Sequence, residues 1–534
     1  MKNKGFIKGA LVLIVFNLVG KVVGALYRIP LAKTLGSVGM GQYQLTFPLY
    51  CLILTIATSG VPVAISKLVA EYNSKNRFKD SKKLLWISVL ILTAVSLIGS
   101  ALVIVNAKLI AKWQGNVDSY ICYYGIAPAI LFVGMLSAFR GYFQGNLCMF
   151  PSAVSGLVEQ IVKMVFGLFF ANRFLTFGTE WAVFGALLGV SMGEFFALLF
   201  LIVSYFFYSK LHKKTSEIKC EKTKFLARQL FNLSVPITLG GLVGPLTTMI
   251  DSFLVVNLLM ASGFSNANAT ALLGIQSGVV EPLINIPVVI AVSISTALLP
   301  SISKLSGKNC HDEIKNLIEK AFQITLSISI ACAICFVVFG EQILNFLYGS
   351  NFDQNDILIA LKLLFLGSVN IVFLSLVQIS AGVLQGLGKS KIPMKSLIVG
   401  GVIKLALDDL LVSVRQINIL GTVLAGGMCY FVVFTLNYKQ VKRLTGASLF
   451  KSYFKISLQE SFVASVAFVV NFLCLKVWGA SLSLIVAGAA AIFVFFVSYY
   501  FLFLRKNDGV FNADNNLAWN IWLNLLQCSY EFED

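Results

Sequence analysis

Lys21, Arg28, Glu159, Lys163, Asp251, Glu281, Lys404, Asp408 and Asp409 are ionisable side chains set inside or at the ends of long apolar runs. In such a place each is costly unless it faces a cavity or a partner. Lys21 and Arg28 are seven residues apart, so two helical turns put them on one face, a cationic stripe suited to an anionic substrate. The competing structural reading is that Arg28 and Lys33 extend toward lipid headgroups. Glu159 and Lys163 have the i, i+4 spacing of an intrahelical ion pair and are expected to neutralise each other while remaining available as substrate contacts. Lys404 and Asp408 share that spacing. Asp251 has no sequence-local partner, and together with Glu281, Asp408 and Asp409 it forms the candidate set for coupling to a cation, since grouped carboxylate oxygens suit a proton or sodium. Glu194 is likewise unpaired and carries no assigned role. Arg140 and Lys67, at the ends of their runs, suit gating or structural roles, for instance by holding helix ends together.

This is binding chemistry rather than catalysis. The two histidines, His212 and His311, lie far apart in basic loops, and neither a metal cluster nor a histidine-based catalytic group is visible. The stretch from Gly36 to Gly41 resembles a phosphate loop only superficially, because it follows an apolar helix rather than a strand, and it is expected to be a turn. Cys332 and Cys335 have redox-like spacing inside an apolar helix, where packing is the better account.

The elements that must position these residues follow from composition. The chain has 534 residues, 57% hydrophobic and 12% charged, far from a soluble average of about 25% charged. Runs of about 20 apolar residues mark membrane spans. Fourteen are expected, near 8–27, 43–66, 84–105, 121–139, 152–171, 181–207, 231–257, 272–299, 321–339, 357–380, 394–413, 418–436, 456–475 and 480–503. They are too long for barrel strands, so the expected class is an all-α polytopic membrane protein. The first run is too long for a cleavable signal peptide and contains Lys21.

Basic residues collect in alternate loops: five between 75 and 83, seven between 210 and 228, four between 304 and 320, and five between 439 and 455, against seven in all the opposite loops. The positive-inside rule therefore places both termini in the cytoplasm. It also accounts for most of the net charge of +18 without nucleic acid as a partner. The tail after Arg505 ends in acidic residues, and its Trp519 and Trp522 suit an interfacial helix.

The chain also repeats itself. The pattern from Gly141 to Lys163 recurs from Gly382 to Lys404, each time with a glutamine between glycines, a proline restart (Pro151, Pro393) and a lysine nineteen residues after the glutamine. Ile65 to Leu68 recurs at Ile302 to Leu305 at nearly the same offset. Two such echoes indicate a duplication, as in many transporters.

The segments Gly20–Gly24, Ala32–Gly36, Ser59–Glu71, Phe139–Gly145, Val158–Lys163, Leu283–Pro287, Leu299–Pro300 and Leu347–Gly349 resemble the polysaccharide-exporter superfamily that also contains multidrug exporters. The resemblance is to its stage V sporulation protein B branch and to the MurJ lipid II flippases, and it runs from the N-terminus to about residue 505. It implies fourteen helices in two six-helix lobes, 1–215 and 216–445, two further helices over 446–505, and a cytoplasmic tail over 506–534. The implied activity is alternating-access transport of an undecaprenyl-linked saccharide such as lipid II. The implied setting is the cell membrane, with membrane lipids and a cell-wall synthase as partners, no cofactor, and sodium or a proton as coupling ion. The family's first-helix cation falls on Lys21 and a second near Tyr27 or Arg28. Lysine is a point charge rather than a bidentate fork, which leaves diphosphate contact without bidentate geometry. Two other functions are compatible with parts of the sequence. One is a multidrug exporter of the same fold, which would favour an acidic aromatic cavity. The other is a membrane-embedded glycan transferase drawing on Glu341, Asp353 and Asp356.

Overall fold

An apolar chain withdrawn from water must satisfy its backbone internally, and the regular structure is helical throughout the described residues. The computed structural model describes residues 2–211, 221–306, 311–349 and 352–448. The helices are α1 (Lys2–Thr58), α2 (Val61–Ser74), α3 (Phe78–Trp113), α4 (Tyr120–Gly145), α5 (Met149–Phe174), α6 (Thr179–Leu211), α7 (Thr223–Gly241), α8 (Val243–Ala261), α9 (Asn266–Gly274), α10 (Glu281–Ser306), α11 (His311–Tyr348), α12 (Gln354–Gly386), α13 (Lys391–Val412) and α14 (Leu420–Thr445). A π-helical turn, Ile275–Val280, joins α9 to α10. The first twelve expected spans each fall on a helix or a helix pair. The last two, and the interfacial helix of the tail, lie outside the described residues.

Ten helices among the described residues are long and apolar enough to cross a membrane. α13 is not one of them, because Lys391, Lys395, Lys404, Asp408 and Asp409 fall within its 22 residues. The chain is a multi-pass membrane protein.

α1 is 57 residues long, well beyond the roughly 20 that cross a bilayer. Its helical path breaks at Gly36, at φ 66° and ψ −175°, a conformation that glycine adopts without a Cβ penalty. Arg28 and Gln44, sixteen residues apart, both donate to the Ser277 carbonyl, at 3.3 and 2.6 Å. A continuous helix would separate their Cα atoms by about 24 Å, so the legs 2–35 and 37–58 fold back on each other at Gly36. The turn expected between Gly36 and Gly41 therefore contracts to one residue. Two other expected spans are interrupted: the second at Ser59–Gly60, between α1 and α2, and the seventh at Leu242, between α7 and α8.

α4, α5 and α6 pack on one another and on α1, while α10, α11, α12 and α14 form a second group with α13 against α14 and α8. The two groups meet through α1, whose second leg runs against α9 and the π turn. This approach is close enough that a Cβ on Gly41 would lie 2.0 Å from the Thr270 carbonyl oxygen, and one on Gly274 would lie 2.0 Å from that of Ser37. Backbone cannot move aside cheaply for a side chain. Gly41→Val is thus expected to cost about 1–3 kcal/mol and to speed amide exchange across 113–120 and 265–277. An unchanged unfolding temperature together with unchanged exchange there would count against this packing.

Candidate functional site

A cavity of about 570 Å³ lies between the first leg of α1, α2, α4, α5 and α10, with Lys21, Arg140, Gln144, Ser152, Glu159, Gln160, Ser293 and Thr296 in its wall. Its position along the bundle is set by α4 and α5. Gln144 is near the end of α4 and Ser152 near the start of α5, and α4 returns to the side from which α3 departs, which carries Lys75, Arg77, Lys79, Lys82 and Lys83. The cavity thus belongs to the side of the lysine- and arginine-rich loops.

Three charged side chains line it, and two are engaged with each other. The Arg140 guanidinium donates to Glu159 Oε2 at 3.0 Å and to Ser155 Oγ at 3.0 Å, while the Arg140 carbonyl accepts from Ser152 Oγ at 3.2 Å. Arg140 ties α4 to α5, in keeping with a structural role. Lys21 is exposed to the cavity and has no ion pair among the described residues. It leaves the wall with one uncompensated positive charge. Gly20 and Gly24 flank it on the same wall, and Gly24 gives Gln160 its room: a Cβ there would lie 3.0 Å from Gln160 Oε1.

The expected Glu159–Lys163 pair does not form. Glu159 turns instead to Arg140 and accepts a second hydrogen bond from Gln160 at 2.9 Å. The Lys163 ammonium stands over two rings, 5.7 Å from Tyr27 and 5.0 Å from Phe47, a cation–π site that spacing along one helix cannot reveal. Arg28 is not in the cavity wall either; its donation to Ser277 O places it at the junction of the two helix groups. Of the expected stripe only Lys21 faces the cavity. Lys67 is exposed on α2, one turn before Glu71, outside that wall.

The second-half carboxylates are gathered more tightly than the sequence suggests. Lys404 donates to Asp408 at 2.7 Å, the i, i+4 contact read from spacing, and also to Asp251 on α8 at 2.6 Å. Asp251 is therefore not unpaired. Glu281, which opens α10, is within electrostatic reach of Arg28, Asp251 and Lys404, whereas Asp409 is exposed and outside the cluster. Glu194 is also partnered: Tyr50 of the second leg of α1 donates to Glu194 Oε1 at 2.5 Å.

Sequence reading missed the polar seal on the opposite side. At Gln114, Gly115 and Asn116 the chain turns between α3 and α4, with Gly115 at φ 83°. The Gln114 amide donates to Leu45 O at 2.8 Å and to Ser252 Oγ at 3.1 Å, and Asn116 donates to Thr270 Oγ1 at 2.9 Å. Asn257 donates to Trp113 O at 2.7 Å, and Asn266 donates to Gly115 O. Uncharged amides in a loop look like ordinary turn residues. Only the fold shows them bridging α3 to α8 and α9 while the cavity lies on the other side.

A membrane-embedded helical protein with a one-sided cavity between two helix groups, its largely apolar wall set with a few charged and amide side chains and its far side joined by hydrogen bonds, has the form of a transporter. The chain belongs to the polysaccharide biosynthesis protein family, whose pattern matches residues 6–306, and a MatE pattern matches residues 236–410. It is 29% identical over 433 residues to the stage V sporulation protein B of Bacillus subtilis, across 80% of this chain and 81% of that one. It is also 29% identical over 468 residues to the lipid II flippase MurJ of the same organism, across 83% of each. Its fold matches a solved lipid II flippase MurJ in an inward closed conformation, with TM-score 0.69 and 16% identity over 93% of this chain and 99% of that one. An inward-facing multidrug resistance MATE transporter matches with TM-score 0.64 and 14% identity, over 80% and 96%. The chain is thus a membrane transporter of the superfamily that joins flippases to MATE exporters, and not an enzyme. Glu341, Asp353 and Asp356, the group considered for glycan transfer, lie at the facing ends of α11 and α12 in that transporter fold.

The Arg140–Glu159 pair is about one-fifth exposed on each side chain, so breaking it should cost less than a fully buried pair. Arg140→Ala and Glu159→Ala are each expected to lower stability by about 1–3 kcal/mol, and the double variant by less than the two together. Strictly additive unfolding free energies would show that the two side chains do not interact.

Proposed function

We propose that this transporter is a flippase for an undecaprenyl-diphosphate-linked saccharide of the lipid II kind. The observation that carries the reading is the Lys21 ammonium, without an ion pair among the described residues, in the wall of a cavity at the face of the basic loops. A diphosphate brings two or more negative charges and needs a cation where water is withdrawn. Gln144, Gln160, Ser293 and Thr296 on the same wall suit sugar hydroxyls and amides. The prenyl chain can stay in lipid while only the head is sheltered. Rocking the two helix groups about the cavity would exchange one aqueous face for the other. The likeness to the lipid II flippase MurJ of Bacillus subtilis supports the cargo class.

The proposal includes fourteen spans, as two six-helix lobes over 1–215 and 216–445, two helices over 446–505 and a tail over 506–534, with both termini cytoplasmic. It also includes membrane lipids and a cell-wall synthase as partners. Lys21 and, on the same wall, Glu159 form the substrate end of the site, with Lys163 and Arg28 behind that wall as cations that add to the field on the diphosphate. Among coupling sources, the engagement of Asp251 and Asp408 with Lys404 favours the proton or the membrane potential over sodium.

The cargo is tested by native mass spectrometry of the purified protein with lipid II, undecaprenyl phosphate and a cationic drug. Lipid II is expected to bind preferentially, and Lys21→Ala to weaken it about tenfold or more, the scale of one lost charge-assisted contact. Drug binding with indifference to both lipids would instead identify a multidrug exporter of the same fold.

A further inference from the structure

The cluster on α8 and α13 has the make-up of a cation site. Asp251 Oδ1 and Asp408 Oδ2 converge on one point from two helices, 2.6 and 2.7 Å from the Lys404 nitrogen. The Asp408 side chain is 1% exposed, and its second oxygen, Oδ1, is buried without a hydrogen-bond partner. Glu281 adds a third carboxylate within electrostatic reach. Two carboxylates held this close in an apolar bundle repel each other unless something positive or a proton stands between them.

What stands there is part of the chain. The internal repeat supplies a lysine at this point in both halves, but the lysines meet different surroundings. Lys163 stands over the rings of Tyr27 and Phe47, whereas Lys404 is inserted between carboxylates. A lysine ammonium is a compact point charge on a flexible stem, similar in charge to an alkali cation and drawn to the same oxygen ligands. We propose that the α8–α13 cluster is a monovalent-cation site whose occupant is the chain's own Lys404 ammonium, so that a free alkali cation is neither required nor admitted there.

The consequence bears on energetics. A dissolved cation binds, crosses and leaves, spending its gradient in each cycle, while a tethered ammonium cannot leave. Sodium is then dispensable for transport, and a rearrangement at the α7–α8 break acts on the Lys404 contacts rather than on a bound metal. That consequence rests on the transport reading. The site itself does not, since it can be examined on the purified chain without any cargo, and a failure here would leave the flippase reading standing.

The experiment compares the unfolding temperature of the full chain in sodium chloride and in choline chloride at equal ionic strength, together with retention of radioactive sodium. Wild type is expected to unfold at the same temperature in both salts and to retain no sodium. Lys404→Ala leaves the carboxylates uncompensated beside an emptied stem, and it is expected to retain sodium and to gain an unfolding temperature that climbs with sodium concentration. Both gains should vanish in Lys404→Ala combined with Asp408→Asn. If Lys404→Ala does not survive purification alone, it is prepared in propylammonium chloride, which is expected to restore the wild-type unfolding temperature by refilling the position. A sodium-specific stabilisation of wild type that Asp408→Asn removes would overturn the proposal. So would a Lys404→Ala protein that no small cation stabilises over choline.

Discussion

Everything in this molecule answers to one constraint: a charge or a backbone polar group inside an apolar bundle has no water to fall back on. The backbone meets it by coiling into helices. The side chains meet it in pairs or triads, Arg140 with Glu159 and Lys404 with Asp251 and Asp408, or over an aromatic face, as Lys163 does. Against that background Lys21 is informative because it does not comply. Among the described residues Lys21 has no ion pair, and it stands in a cavity wall where a counter-charge would stabilise it.

The two sides of the bundle are held by different chemistry. The side opposite the basic loops is joined by neutral amides and backbone carbonyls, with Gln114, Asn116, Asn257 and Asn266 bridging α3 to α8 and α9. Such hydrogen bonds contribute modestly each, because water can replace them at little net cost. On the basic side, ions do the joining: Arg77 meets Asp80 and Glu221, and the Asp80 carboxylate also accepts from the Glu221 amide. The segment that leads into α7 is thereby fastened to the α2–α3 turn. Polar contacts of this kind at the two ends are more readily exchanged than a continuous apolar interface.

Close backbone approach sets where the two helix groups can touch. Gly41 and Gly274 let the second leg of α1 reach α9 without side chains between them, and Gly189 lies against Gly167 in the same way between α5 and α6. In lipid, where apolar side chains gain little by leaving one apolar surroundings for another, small residues that permit close packing replace the hydrophobic effect as the adhesive. The apolar side chains that remain on the outside, such as Leu90, Val105 and Leu410, face the solvent that suits them.

The sequence by itself determined the class of this protein. Twenty-residue apolar runs permit only helices across a membrane, basic residues gather in alternate loops, and Gly141–Lys163 echoes in Gly382–Lys404, and each of these signals is legible because it is local or periodic along the chain. The i, i+4 contact of Lys404 with Asp408 was legible for the same reason. Which charges finally meet was decided only by tertiary structure. Glu159 and Lys163 have the same spacing in the opposite order, yet Arg140, nineteen residues away on α4, outcompetes the lysine for the carboxylate, and Tyr27 and Phe47 take the lysine only because Gly36 folds α1 back on itself. Asp251 looked solitary because its partner is 153 residues distant. Spacing on a single helix specifies which contacts are within reach, and the packing of helices far apart in the chain chooses among them.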